Sequence, residues 1–490
     1  MTSCWTVRDA SRPTRRAVTF AAVPLATLSA TGGLARLAVA QNGAPGEAEA
    51  GEPFTFETVI RMAEAAAAAK HEPAKLSLSG PFADLGYDAY RAIRFREERR
   101  VFAGGPFEID LLPPGHFYED RVEIAIVRNG LPVDLAFDPG VFHFHPDYFP
   151  FPDGVVPADA PRDLSWSGFR IRARINRPEV MDEVAVFQGA TYFRAVARDL
   201  GYGLSARGLA VGTASPEGEE FPLFRRFFIH EPEAGANAIR VQALLDSPSL
   251  SGAYDVLVTP GAETQMEVTA VLFPRREIRE VGIAPLTSMF YFGPGSRARV
   301  DDYREAVHDS DGLQMITGAG ERLWRPLRNP STVQVSAFAD ENPRGFGLSQ
   351  RSRALTDFED AEARYERRPS GWVVPQGDWG EGAIVLVELP TGTEFNDNIV
   401  CFWRPACSQA PAGPTSVAPL AARRRAARPR ARDPRRSDDR GTRPPDLRRR
   451  LLVRGNARRG HPARGEREQG RAPQHRHLPD RWRQARAGRH

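Results

Sequence analysis

Arg121-Val-Glu-Ile-Ala-Ile-Val-Arg-Asn129-Gly130-Leu-Pro-Val-Asp-Leu-Ala-Phe137 decides the fold class. Val122, Ile124 and Ile126 alternate along the chain, Asn129-Gly130 follows, and Val133, Leu135 and Phe137 alternate again. A period of two puts such side chains on one face of a strand. Asn-Gly supplies two residues that tolerate positive φ, which a two-residue hairpin turn requires. The same style continues in Phe169-Arg-Ile-Arg-Ala-Arg-Ile175, Tyr254-Asp-Val-Leu-Val258 and Met266-Glu-Val-Thr-Ala-Val-Leu272. Strands do not alternate with helices, so a parallel sheet is not expected. The reading is all-β: a large antiparallel β-sandwich spread over roughly 300 residues. Early in the chain only Phe54 to Lys70 reads as a helix. Thr55 is placed to cap it, and Val59, Ile60, Ala63, Ala66 and Ala67 form a narrow apolar face.

Charge is unevenly placed. Residues 421–490 hold 24 Arg, no Lys and seven acids, a net of +17. Subtracted from totals of 66 basic and 62 acidic side chains, this leaves 42 and 55 for residues 1–420, a net of −13. An acidic body argues against nucleic acid as its partner. Residues 1–40 read as an export signal of twin-arginine type: Arg15-Arg16, an apolar run from Ala21 to Leu37, then Ala38-Val39-Ala40 as a cleavage site. Gly32, Gly33 and Arg36 interrupt that run short of ~18 clean apolar residues, so stable membrane insertion is not expected. Beyond the signal only Cys401 and Cys407 remain, too few for a disulfide framework. The compartment read is the periplasm. Residues 41–51 are a linker and 52–406 the folded domain. Residues 407–490 read as an Arg-rich disordered tail. It is either a basic arm for an anionic polymer or an unselected stretch, such as a shifted reading frame of a GC-rich gene.

The residue types narrow the chemistry. His143 and His145 share one side of a strand, but no third ligand stands near, so no metal is assigned. No cofactor is assigned either. Gly203-Leu-Ser205-Ala-Arg207 misses the nucleophile elbow, because Arg207 stands where glycine belongs. Asp397 lies in Thr391-Gly-Thr-Glu-Phe-Asn-Asp-Asn-Ile-Val400, between the strand-like Ala383–Leu389, stopped by Pro390, and Ile399–Trp403. A carboxylate on a short loop between buried strands is held still and can face a cleft. The same residues also suit a plain Asx-turn. Trp324-Arg325-Pro326, Trp372, Trp379 and Trp403 stand among Glu359, Asp360, Glu362, Asp378 and Glu381. Rings for the apolar faces of sugars, with carboxylates and arginine for the hydroxyls, are what a saccharide cleft needs. Any one of these tryptophans also suits sandwich core.

Longer stretches then add a resemblance. They are Gln188-Gly-Ala-Thr-Tyr-Phe-Arg194, Tyr202-Gly-Leu-Ser-Ala-Arg-Gly-Leu209, Gly218-Glu-Glu-Phe-Pro222, Ala243-Leu-Leu-Asp-Ser-Pro248 and Ala284-Pro-Leu-Thr-Ser-Met-Phe290. His308-Asp-Ser-Asp-Gly312, Trp324-Arg-Pro-Leu327, Asn342-Pro-Arg-Gly-Phe-Gly-Leu348, Arg364-Tyr365 with Arg368-Pro-Ser370, and Asn396-Asp-Asn-Ile-Val400 follow in order. Over roughly residues 52–405 the chain resembles the OpgG/OpgD (MdoG) family of osmoregulated periplasmic glucan proteins, more D-like by its signal. The resemblance implies a galactose-mutarotase-like β-sandwich that binds β-1,2-glucan with β-1,6 branches, and a homodimer as a candidate assembly. It further implies a C-terminal immunoglobulin-like domain, which is expected to be missing here. Some members resemble anomer-inverting hydrolases that cut within β-1,2-glucan. On that pattern Asp397 is the general acid, Asp309 the general base acting through water or a substrate hydroxyl, and Tyr365 a member of the cleft. Trp324, Arg325, Trp372 and Trp379 are the candidate substrate contacts. Asp397, flanked by apolar strands, is expected to have a raised pKa. Asp309, between His308 and Ser310, is expected to be wetter and ionised. The competing reading is a non-catalytic glucan-binding or glucan-shaping module.

Overall fold

The computed structural model describes residues 53–297 and 300–406, and the backbone of 418–425. The expected hairpin forms as Glu123–Arg128 and Leu131–Asp134, with Arg128 opposite Leu131. Asn129 and Gly130 carry φ of +49° and +76°, as the turn demands. Burial departs from simple alternation at two places. Ala125 and Val127 are buried as well as Ile124 and Ile126, because the helix Phe56–Ala68 covers the other face with Val59 and Ala63. Val133, read as inward, is 56% exposed, because its strand ends the sheet.

Two large sheets make the fold, one of ten strands and one of eleven. The first runs from Phe107–Leu112 through Gly168–Ala173, Asp182–Gln188, Tyr192–Ala195, Ser205–Arg207, Val281–Ser288, Ile399–Pro405 and Glu381–Glu388 to Gln334–Glu341. The second carries Arg322–Pro326 and Gly312–Ile316 at one end and the hairpin at the other. Among the described pairings one is parallel, Leu223–His230 with Glu123–Arg128, and the rest are antiparallel. The sheets pack face to face. Phe169, Phe187, Leu386, Cys401 and Trp403 from the first meet Phe227, Val241, Leu245, Leu313 and Leu348 of the second in one core. Cys401 is wholly buried there, in keeping with its reading as a small apolar residue. This is the all-β sandwich that the strand pattern predicts.

One strand lies past the expected end of the domain. The sequence reading ends the domain at 406, yet Ala418–Arg425 forms a strand between Gln265–Pro274 and Gly371–Pro375 and pairs with both. Side-chain polarity misleads there because ladders are made by backbone groups, which an Arg-rich segment has like any other. The signal, the linker and the rest of the tail lie outside the described residues. No helix among the described residues is long and apolar enough to cross a membrane.

Candidate functional site

Asp397 and Asp309 lie on separate loops that meet at one short segment. Asp397 ends the loop before Ile399–Pro405 in the first sheet, and Asp309 lies just before Gly312–Ile316 in the second. Between them runs Ser288-Met289-Phe290. The amide of Asn398 donates to Ser288 O at 3.1 Å, and the amide of Asp309 donates to Met289 O at 2.8 Å. The residue next to one carboxylate and the backbone of the other are thus bonded to adjacent carbonyls. Asn398 is 2% exposed. Its side chain accepts from Phe290 N at 2.8 Å and donates to Phe290 O and Leu389 O. The hydroxyl of Ser288 bonds that of Ser310 at 2.9 Å. Below the segment, Met289, Phe292, Val307, Phe358 and Tyr365 form a satellite apolar cluster.

The acid loop is pinned from several sides. Asn329 accepts from Thr391 N at 3.0 Å and donates to Thr391 O at 2.9 Å. Arg304 reaches Glu394 at 2.9 Å while also binding Asp302 and Asp360 at 2.8 and 2.7 Å. Tyr365 donates to Glu394 at 3.3 Å.

Each carboxylate faces one arginine. Arg194 Nη2 stands 3.8 Å from Asp397, and Arg368 Nε 3.5 Å from Asp309. Arg194 is held by Ser205 at 2.7 Å, and Arg368 donates to Ala363 O at 2.9 Å. Burial raises both acids. Asp397 is pushed up by burial, opposed by Arg194 and Arg368. Asp309 is pushed up to about 6, by burial first, against Arg368, with the charge of Asp397 adding to the rise. The expected contrast in wetness is reversed. The Asp309 side chain is 10% exposed and that of Asp397 28%. Polar neighbours gave Asp309 a solvated look, but Ser310 is spent on Ser288, and His308 is stacked on Phe290 with centroids 5.3 Å apart. Burial holds His308 near 4, so it stays neutral.

The other candidates divide. Tyr365 is 4% exposed, lies under the Arg368 guanidinium at 5.3 Å, and supports both loops from behind. Burial and the neighbouring Glu394 and Asp309 hold its hydroxyl protonated. Trp324 covers Gly312, where a Cβ would come 2.0 Å from the ring, and Arg351 sits 4.1 Å over it. It therefore flanks the Asp309 turn. Arg325 is committed to the fully buried Glu388 at 2.7 Å and to Pro326 O. Trp372 lines a recess together with Arg194, Leu204, Met266, Leu286 and Ser370. Trp379 is not brought to the acids. It pairs with core Trp403 at 6.3 Å, beyond the far end of Glu381–Glu388, about 23 Å of strand away from the acid loop.

Sequence reasoning quoted Arg194, Arg207 and Arg368 inside motifs without giving them roles. Strand register supplies the missing signal. Phe187 opposes Phe193 and Val186 opposes Arg194, while Tyr192 opposes Arg207. The phenylalanines face the core, so Tyr192, Arg194 and Arg207 share the outer face. Arg207 is 2% exposed, paired to Glu219 at 2.6 Å, and 5.2 Å from the ring of Tyr192.

Fold and site together define a β-sandwich with paired carboxylates on adjoining loops, each set against an arginine. The chain belongs to the family described as periplasmic glucan biosynthesis protein, MdoG, which matches residues 54–419. It is 49% identical over 356 residues to glucans biosynthesis protein G of Vibrio cholerae serotype O1, covering 72% of this chain and 64% of that protein. It is 48% identical over 362 residues to the protein of the same name from Shewanella putrefaciens, covering 74% and 65%. The matched region thus spans somewhat less than two thirds of these relatives.

Proposed function

We propose that this chain acts in periplasmic glucan biosynthesis by binding β-1,2-glucan across the Asp397–Asp309 cleft and cutting within it, with inversion at the anomeric carbon. The observation that carries the reading is the convergence of two burial-raised carboxyls, from separate loops, on Ser288-Met289-Phe290. Inverting hydrolysis needs one carboxyl that keeps a proton for the leaving oxygen and one carboxylate that receives a proton from water. Asp397, the more exposed, is placed to meet the glycosidic oxygen directly. Asp309 is ionised at neutral pH with a pKa near 6, which suits a base working close to that pH. At 10% exposure it takes its proton through a water or a sugar hydroxyl. Arg194 and Arg368 balance the negative charge that Asp309 carries and that Asp397 acquires on giving up its proton. The periplasm is the compartment this reading assigns.

Incubation with linear β-1,2-glucan tests it. The wild type is expected to give shorter chains with inverted anomers by NMR. Asp397→Asn and Asp309→Asn should each lose cleavage by ~10²–10⁴-fold with glucan binding retained. Undiminished cleavage by Asp397→Asn removes it from the acid's role. Binding by the wild type without cleavage replaces the hydrolase with a glucan-binding module.

A further inference from the structure

Phe117 is 82% exposed, at the tip of a tightly fixed loop. Gly115 and Tyr118 exchange both backbone hydrogen bonds, at 3.0 and 2.9 Å. Gly115 has φ of +131°, and a Cβ there would come 2.9 Å from Leu85. His116 holds φ of +55°, and its Nδ1 lies 3.2 Å from Leu85 O. A non-glycine residue keeps left-handed backbone only where its surroundings over-determine it, and such residues cluster at ligand sites. Burying a phenylalanine is favourable, because it removes a large apolar surface from water. Here the fold forgoes that gain and holds the ring outward.

Other rings adjoin it. His116 lies 3.8 Å from Phe117 and 6.2 Å from both Tyr87 and Tyr90, and Tyr90 lies 5.4 Å from Tyr118, centroid to centroid. Tyr87 is 60% exposed. The row is fastened to the hairpin that carries Arg194. Gln188 donates to the Tyr90 hydroxyl at 2.7 Å, and the Tyr118 ring comes 3.2 Å from where a Cβ of Gly189 would stand. Gly189 follows the strand Asp182–Gln188, and the return strand Tyr192–Ala195 brings Arg194 to Asp397. Gln188, Tyr192 and Arg194 share the outer face.

We propose that Tyr87, His116 and Phe117 form a distal stacking platform for a glucan chain that also occupies the carboxylate cleft. The inference rests on the glucan reading of that cleft. Pyranose rings present apolar C–H faces to aromatic faces. A pre-ordered ring with two side-chain torsions gives contact at small entropic cost. A chain held in the cleft meets the platform at high effective concentration, so weak stacking adds to affinity. Attachment to the hairpin that carries Arg194 and the exposed, hydroxyl-bearing Tyr87 favour a saccharide over an apolar protein segment.

The test uses the full chain and β-1,2-gluco-oligosaccharides of graded length. Phe117→Ala is expected to raise KM on long chains about tenfold, with kcat changing less and the penalty growing with chain length. Phe117→Trp is expected to restore KM. If the wild type binds but does not cleave, the same pattern is read from Kd. A penalty independent of length, or an unchanged KM on long chains, overturns the platform while the cleft reading stands. Loss of self-association in Phe117→Ala with KM unchanged makes the ring an interface between copies instead. A wild type that neither binds nor cuts the glucan sinks the cleft reading, and the platform with it.

Discussion

His308 and Asp309 are neighbours that burial pushes in opposite directions. His308 is held near 4 and Asp309 near 6. In the unfolded chain the imidazole titrates near 6.5 and the carboxyl near 3.8. Between about 4 and 6.5 the unfolded chain binds more protons at His308, so its contribution to stability falls as pH drops through that range. Between about 3.8 and 6 the folded chain binds more protons at Asp309, so that contribution falls as pH rises. At neutral pH the ionised Asp309 therefore costs stability. Asp309→Asn is expected to stabilise the fold at pH 7 by on the order of 3 kcal/mol while removing cleavage, and the gain should shrink towards pH 4. Denaturant melts at both values check this. A variant less stable at pH 7 would mean that the pair with Arg368 outweighs burial. The same numbers shape activity. Cleavage should rise with pH through about 6, as Asp309 loses its proton. Asp397 was legible as a burial-raised carboxyl because apolar strands flank it in sequence. The depth of Asp309 was not, since a polar neighbour does not reveal whether its partner is water or protein.

The loop from Leu389 to Asn398 is positioned chiefly by what lies outside it. Arg304 contributes one guanidinium to three carboxylates, two on other loops and Glu394 on this one. Removing it leaves Asp302, Asp360 and Glu394 facing one another, with Arg297 the cation that remains beside Asp302. Arg304→Ala is expected to cost about 2 kcal/mol and to lower kcat about tenfold, since a small misplacement of a catalytic group is expensive. Faster amide exchange at residues 391–397 is the readout that separates a loosened loop from a general loss of stability. Exchange unchanged there would remove Arg304 from that role. Element ends were well read where local chemistry sets them. Pro390 follows the strand Glu381–Glu388, Asn129-Gly130 turns the hairpin, and the helix falls two residues inside each expected end, at Phe56 and Ala68. Lateral placement was not readable. Trp379 looked close to the acids because it is close in sequence, yet a full strand separates them. Arg194 became visible only once register fixed which face it takes.

Across the molecule, Asp397 leads into a strand of the ten-stranded sheet, while Asp309 follows the short strand Val307–His308 and leads into Gly312–Ile316 of the eleven-stranded sheet, so sheet packing bears on their separation. The core between the sheets is thus part of the site without touching substrate. Leu348 and Leu245 allow a matched comparison, since each is fully buried in the eleven-stranded sheet. Leu348 opposes Leu313, and Ser349 just after it accepts the amide of Asp311, so it underlies the Asp309 turn. Leu245 lies on Ile239–Asp246, on the far side of the strand Ala418–Arg425 from Leu348. Truncation to alanine at either position is expected to cost 2–5 kcal/mol, by about the same mechanism of lost transfer energy and residual cavity. Only Leu348→Ala should also lower kcat, by about tenfold, as the turn relaxes towards the cavity and Asp309 shifts relative to Asp397. Both variants are assayed well below their melting temperatures, so that each is fully folded. Equal kcat in the two variants would show that the Asp309 turn is held by its own hydrogen bonds to Met289, Ser288 and Ser349, with inter-sheet packing supplying stability alone.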